Sequence, residues 1–198
     1  VFHDIPISVL NRIEYLENID NKERTEEICV ERFNRLRQIP PETGRFIALM
    51  AAASPKGNWI EIGTSAGYST LWLTLACKCL GTKITTFELD PEKIRMAKET
   101  FMLSDVEKHV ELVPGNALNH LPDYTEISFC FLDTEKELYS DCYDIVIPNM
   151  VPGGILLADN VISHQSGLQS MIDKAQADRR VDSVIVPIGQ GILMCRKK

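Results

Sequence analysis

The sequence lacks any apolar stretch approaching twenty residues, so no segment reads as a membrane span. It also lacks a signal-peptide pattern, and the cytoplasm is the expected location. The chain begins at Val1 rather than Met, which leaves open whether residues precede it. No C-x-x-C pair occurs, and the four histidines, His3, His109, His120 and His164, are too scattered for a zinc site. The six cysteines (Cys29, Cys77, Cys79, Cys130, Cys142 and Cys195) sit mostly in apolar stretches and read as buried reduced thiols. Positive charge is short: 21 Lys and Arg stand against 28 Asp and Glu, a net charge of −7. That balance disfavours a broad phosphate-backbone footprint, so no nucleic-acid partner is expected. The terminal Arg196-Lys197-Lys198 is too short to reverse this. No internal repeat, low-complexity stretch or interdomain linker interrupts the 198 residues.

What is present is an ordinary globular composition, 44% hydrophobic and 25% charged, suited to one domain. Residues 1–38 read as a helical extension. Ile5, Val9, Leu10, Ile13 and Leu16 fall at helical spacing, Asp20-Asn21 breaks the pattern, and Thr25 is placed to cap a second helix ended by Ile39-Pro40-Pro41. A third helix is predicted over Thr43 to Ala53. After residue 57 the rhythm changes. Strands are predicted at 58–62, 83–89, 110–113, 127–132 and 155–158, and helices at 68–80, from Pro91, near 137–149 and over 165–177. Pro152-Gly153-Gly154 reads as a turn, and residues 183–187 and 191–195 as a hairpin around Gly189-Gln190. Strands alternating with helices predict an α/β fold: a mostly parallel sheet, helices on both faces, and an antiparallel strand from the final hairpin.

In an open sheet of this kind, ligands bind beyond the carboxyl ends of the strands. The first strand ends in Glu61-Ile62-Gly63-Thr64-Ser65-Ala66-Gly67-Tyr68-Ser69, a glycine loop feeding a helix N-terminus. It lacks the G-x-G-x-x-G spacing of a dinucleotide fold, which argues against an NAD-type oxidoreductase. Glu88 ends the second strand, where an acid can accept both hydroxyls of a ribose. Gly115-Asn116-Ala117, Asp133-Thr134-Glu135-Lys136 and Asp159-Asn160 end the next three. Taken singly, each is also what a plain strand-to-loop exit looks like.

In order, EIGTSAGYS, FELDP, GNAL, FLDTEK and LLADN resemble the S-adenosylmethionine-dependent O-methyltransferases of the catechol and caffeoyl-coenzyme A type (family 3), from about Pro40 to the C-terminus. The resemblance implies a Rossmann-like class I methyltransferase fold with seven strands, and a homodimer. It implies that Glu61 and Gly63 lie under the methionine part of the cofactor and that Ser69 bonds its carboxylate. It also gives Ser65 a further cofactor contact, the ribose to Glu88, and the adenine edge to Ala117 and Leu118. Asp133 falls near the sulfonium and on a metal, and Lys136 matches the catalytic lysine of the catechol-type enzymes.

Chemistry supports a metal at this point. If the fourth and fifth strands are neighbours, Asp133 and Asp159 emerge ~5 Å apart, and Asn160 adds an amide oxygen. Oxygen donors without His or Cys suit a hard divalent cation such as Mg²⁺. The competing reading of Asp159-Asn160 is an Asx turn leaving the sheet. A lysine beside such a cation can take a hydroxyl proton. The expected reaction is therefore methyl transfer to a hydroxyl of a small catechol-like acceptor carrying vicinal oxygens. Glu135 matches no role and is expected to face solvent, the histidines and Cys77-Lys78-Cys79 are expected at the surface and in packing respectively, and His164 is placed to line a substrate mouth.

Two departures from the family pattern stand out. Thr134-Glu135 replaces an aromatic residue after Asp133, and Thr43 stands where relatives carry an acid or lysine before the glycine. The alternatives left open are methylation of a hydroxylated tRNA base by the same site and a non-catalytic protein that binds S-adenosylmethionine.

Overall fold

The computed structural model describes residues 1–28, 31 and 35–198. Helix α1 (Ile7–Arg24) and helix α2 (Pro41–Ala53) precede strand β1 (Asn58–Ile62). There follow α3 (Tyr68–Leu80), β2 (Ile84–Glu88), α4 (Pro91–Leu103), β3 (Val110–Pro114), the single turn α5 (Ala117–His120) and β4 (Ile127–Leu132). Helix α6 (Tyr139–Val146), β5 (Met150–Ala158), α7 (Gln165–Ala177), β6 (Val181–Val186) and β7 (Ile192–Lys197) complete the order. Among the described residues the strands form one seven-stranded sheet, β3-β2-β1-β4-β5-β7-β6. The first five are parallel, and β7 joins β5 and β6 antiparallel. The expected architecture is thus the observed one.

The central strands β1, β4 and β5 are buried on both faces toward their carboxyl ends, as a parallel sheet sandwiched by helices must be. All six residues of β4 are buried. Their side chains alternate: Phe129 and Phe131 enter a core with α1, α2, α3 and α4, while Cys130 and Leu132 enter a second core with α6 and α7. Burial pushes the Cys77, Cys142 and Cys195 thiols up to about 12, as suits inert packing groups. Cys79, by contrast, is exposed rather than packed, and Cys29 lies outside the described residues.

Local chemistry sets several boundaries. Asp90 caps α4, its Oδ1 accepting from the Glu92 and Lys93 amides at 2.7 and 3.3 Å, with Pro91 at the first position. Gly81 ends α3 in the left-handed conformation at φ 65°.

Four local expectations need correction. Asp20-Asn21 does not end the first helix: Asp20 pairs with Arg24 one turn on, and α1 runs to Arg24. Thr25 is therefore the C-cap of α1, its hydroxyl donating back to Asn21 O at 3.0 Å, and Glu26 is left-handed at φ 58°. The second helix expected from there to Ile39 is not formed at the described residues, since 26–28 are turn and bend and 35–39 are irregular; its other positions, 29, 30 and 32–34, lie outside the described residues. Pro152-Gly153-Gly154 lies within β5 rather than turning before it. The helix expected near 137–149 is α-helical only over Tyr139–Val146, with 3₁₀ turns on either side. The N-terminal helix packs on the domain itself: Arg12 donates to Thr100 Oγ1 on α4 at 3.0–3.1 Å, and Ser8 to Ser104 O at 3.1 Å.

Among the described residues no helix is long and apolar enough to cross a membrane.

Candidate active site

The register fixes what meets at the carboxyl end of the sheet. Ile62 pairs with Leu132, and Leu132 with Ala158. The ladder continues one step: the Asp133 amide donates to Ile62 O and the Asp159 amide to Leu132 O, both at 3.0 Å. Asp133 and Asp159 therefore leave adjacent strands side by side. Asn160 follows in a left-handed turn, φ 67°, a conformation Asn tolerates better than most side chains. Its Nδ2 donates to Asp133 Oδ1 at 2.9 Å and to Asp159 Oδ2 at 3.1 Å.

Asp159 is only 2% exposed, and its Oδ1 has no hydrogen-bond partner among the described residues. Burial first, then the Asp133 carboxylate beside it, pushes its pKa up to about 7. A buried carboxylate with an orphaned oxygen next to a second carboxylate is poorly compensated by the protein alone. The donor set is two carboxylates and one amide. Among the described residues no cluster of three His, Cys, Asp or Glu side chains has metal-holding geometry, so Asn160 is needed to complete any such site.

Lys136 closes the constellation. Its Nζ lies 3.4 Å from Asp133 Oδ1 and donates to Thr134 O and the Tyr139 hydroxyl, each at 3.0 Å. Its side chain is 17% exposed, so it is not the solvated lysine that its place at a helix start would suggest. Tyr139, fully buried, also donates to Asp133 Oδ1 at 3.4 Å. Burial, then Asp133 and Asp159, holds its phenol well above the usual range.

A cavity of about 440 Å³ opens beside this cluster. Gly63, Ser65, Ser69, Glu88, Ala117, Leu118 and Asp133 all line it, which brings together seven positions expected at a cofactor. Glu61 lies beneath, fully buried, accepting from the hydroxyls of Ser69, Thr70 and Thr86 at 2.6–2.7 Å. Burial pushes its carboxyl up to about 7 against the lowering effect of those three donors. Ser69 thus spends its proton on Glu61. Glu88 turns inward as well, accepting from the Ser65 amide at 2.7 Å and from the Leu89 and Asp90 amides.

The roof of the cavity was not foreseen. Arg35, Leu36, Gln38 and Ile39 line it from above. Side chains hold this segment: the Leu36 amide donates to Glu23 Oε2 at 2.7 Å, Lys93 Nζ donates to Arg35 O at 2.7 Å, Ser65 Oγ to Leu36 O at 2.9 Å, and Arg24 to Gln38 O at 3.0 Å. Arg37 pairs with Glu135 at 3.0 Å, so Glu135, though 63% exposed, is a partner at the lip and not simply solvated. Ser65 therefore lines the cavity while its hydroxyl ties down the roof.

Thr43 explains one departure from the family pattern. It is fully buried, and a Cβ on Gly189 would fall 2.1 Å from its Oγ1, so the hairpin turn packs directly on it. A longer acid or lysine has no space there. His164 caps α7 with its ring exposed, its Nδ1 2.9 Å from Ser163 Oγ. His109 and His120 are half-buried rather than surface residues, His120 stacking on Phe87.

The fold and site define an α/β protein with a nucleoside-sized cavity beyond its parallel strands and an oxygen-donor cluster at the rim. A model of the O-methyltransferase family matches residues 17–198, and the chain belongs to that family. It is similar to catechol O-methyltransferases of Niastella koreensis (30% identity over 129 residues, 63% of this chain and 58% of that protein) and Mycobacterium tuberculosis (30% over 141 residues, 70% and 63%). The match thus spans somewhat less than two thirds of the length of these two relatives. Among solved structures, an O-methyltransferase of Bacillus cereus in complex with SAH superposes with a TM-score of 0.78 at 21% identity, over 95% of this chain and 91% of that one. The fold is therefore that of the Rossmann-like O-methyltransferases.

Proposed function

We propose that the protein transfers a methyl group from S-adenosylmethionine to a hydroxyl of a catechol-like acceptor with vicinal oxygens, with a divalent cation, Mg²⁺ by its chemistry, at Asp133, Asp159 and Asn160. The observation that carries this reading is the buried, unpartnered Asp159 Oδ1 beside Asp133 at the edge of the cavity. The relatives named catechol O-methyltransferase and the neighbour bound to SAH support the same chemistry.

The residues fit both groups, the cation once the Asn160 amide is turned over so that Oδ1, and not the Nδ2 that now donates to both carboxylates, faces them. A sulfonium donor needs a nucleoside cradle and an anionic end to the site, which Glu88, Asp133 and the glycine loop supply. A hard cation needs oxygen donors, and its charge would relieve the repulsion between Asp133 and Asp159. When bound, such a cation lowers the pKa of a hydroxyl it ligates. The chain's own part is mostly placement. Asp133 sits both at the cavity wall and at the donor cluster, which sets the acceptor oxygen close to the methyl carbon. Lys136 Nζ takes the hydroxyl proton while that oxygen displaces sulfur from the methyl carbon, so the sulfur leaves as a neutral thioether.

Calorimetry with S-adenosylhomocysteine, and transfer of labelled methyl to a catechol with Mg²⁺ or with excess EDTA, test this. Saturable binding and turnover only with the cation are expected. Absence of binding refutes the cofactor assignment, and full turnover in EDTA refutes the cation.

A further inference from the structure

Tyr139 opens α6 with its side chain fully buried, yet its hydroxyl is turned to the donor cluster. It accepts from Lys136 Nζ at 3.0 Å and donates to Asp133 Oδ1 at 3.4 Å. Its ring also lies under the same nitrogen, 4.8 Å from Nζ to the centroid. A lysine nitrogen has three directions beyond its stem. Here one is anchored on Thr134 O and one on the Tyr139 hydroxyl, both at 3.0 Å, and the third, longer at 3.4 Å, faces Asp133. Asp133 lines the cavity, so that third direction is turned to the cavity side of the cluster.

We propose that Tyr139 is a positioning residue: its hydroxyl, with Thr134 O, fixes the Lys136 amine so that its one remaining direction points to the reacting oxygen beside Asp133. A lysine on a flexible four-carbon stem otherwise samples many orientations, and misplacing a reacting group by about an ångström is enough to cost ~100-fold in rate. The anchor explains why a buried tyrosine, and not a phenylalanine, stands three residues after Lys136. It also accounts for the sequence departing at Thr134-Glu135 without loss of the lysine's placement, because Thr134 contributes only its backbone carbonyl. This inference rests on the proposed role of Lys136 in methyl transfer.

The test uses the full chain with S-adenosylhomocysteine bound and lysine nitrogens labelled with nitrogen-15. An anchored ammonium gives a resolved signal at mildly acidic pH, whereas freely exchanging ones do not. The wild type is expected to show one such signal that Lys136→Met removes and that Tyr139→Phe, which keeps the ring, broadens away. In turnover, Tyr139→Phe is expected to lower kcat about ten- to hundredfold with KM for cofactor and acceptor changed less than about threefold. A Lys136 signal retained in Tyr139→Phe, or a kcat within about twofold of wild type, overturns the proposal. So does the absence from the wild-type spectrum of any signal that Lys136→Met removes, whether or not Tyr139→Phe folds. If the wild type methylates no vicinal-oxygen acceptor, the functional reading fails, and the spectra alone then decide the anchor.

Discussion

The Asn160 amide reaches across from the end of β5 to the Asp133 carboxylate at the end of β4, 2.9 Å away, from a backbone held at φ 67°. Two separable terms meet in this residue. Asn160→Ala loses hydrogen bonds to two carboxylates and also forces a Cβ-bearing aliphatic residue into the left-handed region; together these cost about 2–4 kcal/mol. Asn160→Gly loses the same hydrogen bonds but none of the conformational tolerance. Denaturant unfolding of the cation-free protein is expected to rank wild type above Asn160→Gly above Asn160→Ala. Equal stability of the two variants would show that the backbone term is negligible.

Removing the second carboxylate should separate the cation from the cofactor. Asp159 is not among the cavity-lining residues, whereas Asp133 is. Asp159→Asn therefore leaves S-adenosylhomocysteine affinity within about threefold of wild type, and abolishes the rise in melting temperature that Mg²⁺ or Mn²⁺ gives the wild type by binding the native state. Thermal melts with and without each ion, read beside calorimetry of the nucleoside, check both halves.

How far the chain could be read in advance depended on where each constraint comes from. Asp133, Asp159 and Asn160 were legible because a parallel sheet puts strand ends together, and the ladder from Ile62 through Leu132 to Ala158 does so here. The end of α1 was misread because local composition at Asp20-Asn21 suggests a break, whereas the i, i+4 pair with Arg24 carries the helix on. The roof at 35–39 was misread as the end of a helix, whereas its described residues are irregular. It carries no motif, and its restraints come from Glu23, Ser65 and Lys93, which lie 13, 29 and 58 residues away in sequence. Tyr139 did leave a signal, an aromatic hydroxyl three residues after the candidate lysine at a helix start, but that spacing is common enough to pass for core packing.

Glu61 makes stability depend on pH in a direction opposite to most carboxylates. Its folded-state pKa is about 7 against 4.5 for the free side chain, with burial as the leading cause. Below the lower value both states hold the proton and nothing changes. As pH rises from 4.5 to about 7 the unfolded chain releases the proton and the folded one keeps it, so stability falls, by roughly 3 kcal/mol at most, and levels off above. Glu61→Gln keeps the shape and lets the three hydroxyls reorient to an amide oxygen. Its melting temperature relative to wild type should therefore climb across this window and be flat outside it. A constant offset would place the Glu61 proton elsewhere.

Two glycines test the backbone with opposite signs. A Cβ on Gly63, which sits at φ 101°, would fall 1.9 Å from the Asp133 carbonyl oxygen. Neither backbone can give way without parting β1 from β4 at the site itself. Gly63→Ala should cost more than about 3 kcal/mol and remove nucleoside binding with it. Gly167 lies in the first turn of α7 with nothing within 4 Å of a Cβ. Gly167→Ala should stabilise the protein by about 0.5–1 kcal/mol through helix propensity alone, leaving binding unchanged.

The roof gives the last prediction. The Leu36 amide is buried with its residue and donates to Glu23 Oε2 at 2.7 Å, so this charge-assisted bond joins α1 to the segment over the cavity. Glu23→Ala strands that amide, at a cost of about 1–3 kcal/mol. The loss should appear in ligand affinity as well as in stability. A nucleoside bound under residues 35–39 needs the roof closed, and a roof that is closed only part of the time weakens apparent affinity by that fraction. Lys93 and Ser65 still hold the neighbouring carbonyls, so closure is impaired rather than lost, and a three- to tenfold weaker dissociation constant for S-adenosylhomocysteine is the expected scale, about 0.7–1.4 kcal/mol. Glu23→Gln, which keeps an acceptor oxygen for the same amide, should recover most of that affinity. If alanine and glutamine weaken binding equally, it is the charge of Glu23 and not its hydrogen bond to Leu36 that shapes the roof.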